Sequence, residues 1–277
     1  MSKPLSLIFA GTSEFAVECL QHLVKNPAFK IELVITQPDR PVGRKHILTA
    51  PPAKEQALLL NLPVYQPEKL NKEWFESEWK DLRPDFLVVV AYGQILSEKI
   101  LAIPLQTPIN VHGSLLPRWR GASPVQHALL AGDAVTGVTT QIMVKALDAG
   151  AVLKQAELTI HPRETFTSLY ARLATLGAEL LEETLLAPLE PKEQPTEGIT
   201  VCGLLERKDG ECNAKLMTAE EIDRKVRALT PWPGVTMPIE GTMMKILETD
   251  LEAKANTLPV PCKDGTTLYV TMLQEPG

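Results

Sequence analysis

The sequence INVHGSLLPRWRGASP, residues 109–124, decides the fold: an apolar run ends on a polar pair, crosses a turn holding Pro117 and Gly121, and reaches a helix start at Pro124. In an extended strand, side chains two apart share a face, so Asn110 and His112 project together from the carboxyl end of INVH. Upstream, the chain alternates short apolar runs with helical patterns: LSLIFA, a helix-like stretch from Glu14, IELVITQ, KEQALLL, a helical segment around Trp74 to Trp79, FLVVVAY and a short helix near Ser97. Downstream come a helix from Pro124 and the run GVTTQIMV. Strands alternating with helices predict a doubly wound α/β domain whose mostly parallel sheet is covered on both faces. Ligands of such sheets bind at the carboxyl ends of strands, where strand order reverses.

A last helix fits Thr165 to Leu186, where Leu169, Leu173, Leu176 and Leu180 recur at spacings of three and four and should pack on the sheet. The following APLEPKEQPTEG holds three prolines, two of which, Pro191 and Pro195, lie among charged and polar residues, and it reads as an exposed linker. The expected organisation is a catalytic domain over 1–188, a linker over 189–200 and a small domain over 201–277. The last part carries one helical stretch, Ala219 to Leu229, ending before Pro231. Strand candidates MMKILE and TTLYVTML follow, with turns at Glu240-Gly241 and Asp264-Gly265, which predicts a small antiparallel β domain.

The 277 residues, 44% hydrophobic and 22% charged, fit an ordinary globular chain of two unequal domains. Apolar stretches fall short of the roughly 20 residues that span a bilayer, and Met1 to Ala10 lacks the pattern of a secretory signal, so a cytoplasmic location is expected. Cys19, Cys202, Cys212 and Cys262 show no CxxC pair, which leaves metal clusters and disulfide frameworks unsupported. A formal net charge of −6 argues against a surface that attracts polyanions everywhere, while a local basic patch remains compatible with it.

The chemistry concentrates in Asn110, His112 and the LDAG segment at Leu147 to Gly150. Attack of an amine on a formyl carbon builds negative charge on oxygen and positive charge on nitrogen; the site then needs a hydrogen-bond donor and a proton acceptor. Asn110 can donate from its amide, His112 can donate or accept, and Asp148 can orient the ring. A structural histidine and a turn-forming Asp-x-Gly are the bland readings of these residues taken singly. His22, His127 and His161 read as helix or loop residues. GTSEFA after the first strand lacks the G-x-G-x-x-G fingerprint, which disfavours a dinucleotide site.

With N-x-H-x-S-L-L-P followed later by D-x-G, the chain resembles the methionyl-tRNA formyltransferases, a family of folate-dependent formyltransferases, from the first strand to PWPG and more faintly beyond. The resemblance implies a Rossmann-like formyltransferase domain with an OB-like C-terminal domain, 10-formyltetrahydrofolate as donor, direct transfer without a metal, and Asn110, His112 and Asp148 as catalytic residues. It implies a folate site from Ser114, Leu115, Leu116 and Pro117 beside VVVAYG, with Val90 and Tyr92. TQPDRPVGRKHILTAPPAK resembles the family's basic insertion that enters the tRNA acceptor end. It points to Arg44, supported by Arg40 and Lys45, in a loop too rich in Pro and Gly to be regular. The implied partners are initiator methionyl-tRNA and folate, with no membrane and no obligate protein partner. One departure is CNA at Cys212 to Ala214, where the family has an I-D-W run; another is the balance of nine Lys or Arg against twelve Asp or Glu from Thr200 onward.

Three other readings compete: a sugar-amine N-formyltransferase, a formyltetrahydrofolate hydrolase in which water replaces the amine, and a non-catalytic folate- or RNA-binding module.

Overall fold

The computed structural model describes residues 3–43, 45–70, 79 and 81–275. Arg44 and, Trp79 apart, the helical segment expected around Trp74 lie outside them. The chain divides into two compact units. One comprises Met1–Arg120, Gly137–Leu158 and Ala171–Thr200; the other comprises Gly121–Thr136, Thr159–Tyr170 and Val201–Gly277.

In chain order the described elements begin with β1 (Leu5–Gly11), α1 (Glu14–Lys25), β2 (Phe29–Ile35), β3 (Arg40–Val42), β4 (Ile47–Thr49), α2 (Pro52–Leu59) and β5 (Val64–Tyr65). Next are β6 (Phe86–Val90), α3 (Glu98–Leu101), β7 (Thr107–His112), β8 (Arg120–Gly121), α4 (Pro124–Ala131), β9 (Val135–Ile142), β10 (Val152–Thr159) and α5 (Phe166–Leu186). The rest are β11 (Val201–Cys202), α6 (Ala219–Leu229), β12 (Val235–Ile239), β13 (Thr242–Asp250), β14 (Leu258–Pro261) and β15 (Thr267–Gln274).

Among the described residues the main sheet has seven strands in the order β10-β9-β7-β6-β1-β2-β5. Pairing is parallel from β5 through β2, β1 and β6 to β7. The five residues of β6, FLVVV, are all buried, as a strand covered on both faces requires. The chain runs outward from β1 to β2 and β5, then returns to β6 and β7 on the other side of β1, so strand order reverses beside β1 as a doubly wound sheet demands. The far edge departs from the parallel pattern: β9 runs antiparallel to β7, and β10 adds an edge strand that the sequence reading did not include. Its sequence VLKQAELT is half-buried over its first three positions and then alternates exposed with half-buried ones, an edge signature weaker than the buried runs of the centre.

Two helices start on proline at the first turn, where the missing N–H is no loss: Pro52 in α2 and Pro124 in α4. Along α5, Leu169 and Leu173 are fully buried and Leu180 nearly so, while Leu176 is only half-buried. The buried stripe runs instead through Leu173, Ala174, Gly177, Ala178 and Leu181. A Cβ on Gly177 would sit 2.8 Å from the Phe15 ring and 3.3 Å from Val111, which places this helix directly on α1 and the central sheet.

In the second unit α6 occupies the residues expected, Ala219–Leu229. Thr218 Oγ1 accepts from the Glu221 amide at 3.1 Å and Glu221 accepts from the Thr218 amide at 2.7 Å, a capping box that fixes its start. β12, β13, β15 and β14 form an antiparallel four-stranded sheet in that order. Its first hairpin turns at Glu240 and Gly241, both with positive φ (50° and 85°), as a tight primed turn requires. Register shifts between Ile246 and Thr249 bend β13 and curl the sheet. Asp223, fully buried on α6, accepts from Arg163 at 2.7 Å, Arg227 at 2.9 Å and Thr249 at 2.9 Å, so its charge is compensated.

Candidate active site

β7 delivers Asn110 and His112 to one face of the sheet at its carboxyl end. β9 lies opposite, pairing Asn110 with Gln141 and His112 with Thr139. Asp148 reaches the same place from the turn after β9. Its Oδ1 accepts from Gln141 Nε2 at 2.9 Å and, at 3.4 Å, from Asn110 Nδ2. Its Oδ2 lies 3.6 Å from His112 Nδ1. One carboxylate thus holds the amide and faces the imidazole, and the three residues expected to carry the chemistry converge.

Local backbone geometry explains the convergence. Asp148 has φ 47°, a left-handed conformation that Asp tolerates better than most residues. Two positions on, a Cβ on Gly150 would stand 1.7 Å from the Ile142 carbonyl oxygen, so the turn can close against β9 only with glycine there.

His112 is 6% exposed, and its Nε2 lies 2.8 Å from the Trp119 carbonyl oxygen. A carbonyl only accepts, so Nε2 carries the hydrogen and Nδ1 is the nitrogen left to exchange a proton. Trp119 itself sits at φ 58° at the end of the SLLPR turn. That turn is closed by Ser114 Oγ donating to the Arg118 carbonyl at 2.6 Å. It is held from the sheet by Thr139 Oγ1, which donates to the Ser114 carbonyl at 2.7 Å and accepts from the Leu116 amide at 3.1 Å. Gln155 Nε2 adds a bond to the Leu116 carbonyl at 2.8 Å. Ser114 and Leu116 are buried, whereas Leu115 and Pro117 keep partial exposure.

Val90 and Tyr92 are both buried, the Tyr92 ring within the apolar cluster that includes Leu87, Leu96 and Ile100. Burial first, and the neighbouring Tyr65 second, push its phenol up from its ordinary value. Side chains here face the core, so this segment offers a ligand its backbone, and the Tyr92 carbonyl already accepts from Thr12 Oγ1 at 2.8 Å and Gln37 Nε2 at 3.1 Å. Among the described residues no group of His, Cys, Asp and Glu could hold a metal ion. No helix among them is long and apolar enough to cross a membrane.

Residues 5–185 match the family model described as formyl transferase, and residues 205–277 match that of the formyl transferase C-terminal domain. The chain belongs to the formyl transferase family. This formyltransferase is 43% identical to a methionyl-tRNA formyltransferase of Myxococcus xanthus over 99% of the chain and 92% of that relative. It is also 43% identical to one from Caldicellulosiruptor saccharolyticus, covering 96% of the chain and 86% of the relative. Among solved structures, a methionyl-tRNA formyltransferase from Clostridium thermocellum superposes with a TM-score of 0.62 at 15% identity, over 98% of this chain and 100% of that one. An N-formyltransferase from Helicobacter canadensis, in complex with folinic acid and dTDP-3-aminofucose, gives 0.71 at 18% identity over 96% and 98%. At those identities the two structures bear on the fold alone.

In the formyltransferase, the basic segment expected as an irregular loop is a short hairpin, β3 paired antiparallel with β4. Its six strand residues are exposed, so Pro41 withholds no N–H from a larger sheet, and Gly43 (φ 70°) and His46 (φ 48°) make the turn. Arg40 is engaged at its base, donating to Glu68 at 2.6 and 3.3 Å, while Lys45 is exposed at the turn. Asp39 anchors the entry: it accepts from Gln66 Nε2 at 2.7 Å and from Lys54 Nζ at 2.7 and 2.8 Å. Those bonds, Gln66 first and then Lys54, hold its carboxyl below the ordinary carboxylate range.

Sequence reading passed over Gln141, Gln194 and the Trp119 carbonyl. Gln141 carried a signal: an amide near the end of a buried strand, here 2% exposed, needs a partner. The Trp119 carbonyl carried none, because a backbone acceptor is invisible in side-chain identity.

Proposed function

We propose that this chain transfers the formyl group of 10-formyltetrahydrofolate to the amino group of initiator methionyl-tRNA. The carrying observation is the Asp148 carboxylate between Asn110 and His112 at the carboxyl end of β7. The amine nitrogen bonds to the formyl carbon, the bond from that carbon to the folate nitrogen breaks, and a proton passes from the amine to the departing nitrogen. Asn110 donates to the carbonyl oxygen as its charge grows. His112, with Nε2 committed to Trp119, handles the proton at Nδ1, and Asp148 stabilises the ring when it is charged.

The folate lies along Ser114, Leu115, Leu116 and Pro117, with Val90 and Tyr92 contributing backbone groups. Bound, it supplies an activated formyl carbon; the chain supplies orientation and charge stabilisation. The hairpin meets the acceptor end through Lys45 and, on sequence grounds, Arg44, while Arg40 secures the hairpin's base. No membrane or obligate protein partner enters this reading, and the reaction belongs in the cytoplasm, where initiator tRNA is charged.

The methionyl-tRNA reading is favoured over the sugar-amine reading by the 43% identity to named methionyl-tRNA formyltransferases across nearly the whole chain. The test is to offer purified protein 10-formyltetrahydrofolate with methionyl-tRNA, with amino-sugar nucleotides, or with water alone. Formyl-methionyl-tRNA is the expected product. Faster formylation of the sugar, or donor hydrolysis as rapid as transfer, rejects the proposal.

A further inference from the structure

We propose that Lys192–Thr200 is a brace for the imidazole of His112, and that Gln194 within it is a positioning residue for Asp148. The inference rests on the catalytic reading of Asn110, His112 and Asp148 above.

Composition alone makes this segment a linker, yet the side chains of Gln194 and Thr200 are spent on the site. Lys192 exchanges both backbone hydrogen bonds with Val152, at 2.7 and 2.8 Å, which fixes the segment beside β10. Gln194 Nε2 then donates to the carbonyl oxygens of Asp148 and Gly150, each at 2.8 Å. Its Oε1 accepts from Arg120 Nε at 3.0 Å and Nη2 at 2.7 Å. A guanidinium only donates and carbonyls only accept, so the amide has one workable orientation. The two bonds straddle Asp148-Ala149-Gly150 and hold the left-handed turn that aims the carboxylate. Gln194 Nε2 also lies 3.4 Å from Gln141 Oε1, which turns the Gln141 amide so that its nitrogen faces Asp148 Oδ1.

The other end of the segment holds the ring's second partner. Thr200 Oγ1 accepts from the Trp119 amide at 2.8 Å, and its carbonyl accepts from the Arg120 amide at 2.9 Å. The Trp119 carbonyl is the acceptor for His112 Nε2. Both groups that bracket the imidazole therefore depend on one nine-residue stretch, one through Gln194 and the other through Thr200.

Gln194→Glu separates positioning from mere tethering, because it keeps the acceptor for Arg120 and removes both donors to the Asp148 turn. The expected result, at saturating substrates, is a kcat about 10-fold or more below wild type with KM for the donor within about twofold, the pattern of misplaced catalytic geometry. The pH–rate profile should move, since the carboxylate beside the ring has been re-aimed; the melting temperature should fall as well, because an acceptor oxygen replaces a donor against the Asp148 and Gly150 carbonyls, so the kcat and pH readouts carry the test. Gln194→Met, an apolar near-isostere, should give the same kcat and pH changes and serves if the Glu variant does not fold. Wild-type kcat and pH profile in the folded variant overturn the brace, whatever its melting temperature. Asp148→Asn run in parallel separates the two failures: full activity there removes the catalytic reading itself, whereas a collapse of activity in Asp148→Asn with none in Gln194→Glu removes only the brace.

Discussion

The Nε2 of His112 donates to the carbonyl oxygen of Trp119 across 2.8 Å, and this bond sets the tautomer of the ring. With Nε2 occupied, Nδ1 faces Asp148 at 3.6 Å, so the nitrogen open to a proton and the carboxylate sit on the same side of the imidazole. The SLLPRW turn and the LDAG turn are thereby joined through one side chain.

In the proposed reaction Asn110 is the donor to the developing oxyanion. Asn110→Ala should lower the rate of formyl transfer by roughly 100-fold or more, the scale of losing one such donor, with donor affinity nearly unchanged. Rapid-quench transfer rates and equilibrium folate titration measure the two separately. A variant as fast as wild type takes Asn110 out of the mechanism.

In the proposed function the hairpin meets RNA rather than folate. Lys45→Ala should weaken use of methionyl-tRNA, reduce the salt slope of tRNA binding by about one, and leave slow donor hydrolysis intact. Asp39→Ala should raise KM for the tRNA in the same way, since Lys54 and Gln66 seat the hairpin through that carboxylate. Because the Asp39 carboxyl titrates below its unfolded value, its contribution is present above that value and is lost only as pH falls through the lowered one. The hairpin should therefore stay seated across the neutral range. Unchanged tRNA kinetics in both variants would detach it from substrate binding.

Asp223 carries stability rather than chemistry. It is fully buried and accepts from Arg163, Arg227 and Thr249, so Asp223→Ala should destabilise the protein by about 1–3 kcal/mol: the three donors lose their shared acceptor, while Arg163 and Arg227 keep the carbonyls of Thr249 and Glu164. Thermal and urea unfolding report the loss. A melting curve superimposable on wild type contradicts it.

Much of this was legible in the sequence because it rests on strong local signals. Buried strands such as FLVVV, the proline that opens α4 and the Thr218-to-Glu221 cap write their elements directly into composition and spacing. Part of the candidate site was legible too, since strand alternation puts Asn110 and His112 on one face, while Asp148 entered through the family resemblance. What was missed depends on distant pairing. The antiparallel β9 and the edge strand β10 follow from how the chain returns to the sheet. The β3–β4 hairpin forms despite Pro41 because an isolated ribbon needs few of its N–H groups. Gln194 lies in a stretch whose prolines read as linker, and nothing local announces that its amide meets Asp148 across 46 residues.

The most direct test of the account is the single-turnover rate of formyl transfer to methionyl-tRNA by His112→Ala, with both substrates saturating. Loss of the group that handles the proton should slow transfer by roughly 100- to 10,000-fold while the protein still binds folate. Transfer at the wild-type rate would contradict the account, because the convergence of Asn110, His112 and Asp148 would then have no part in the reaction.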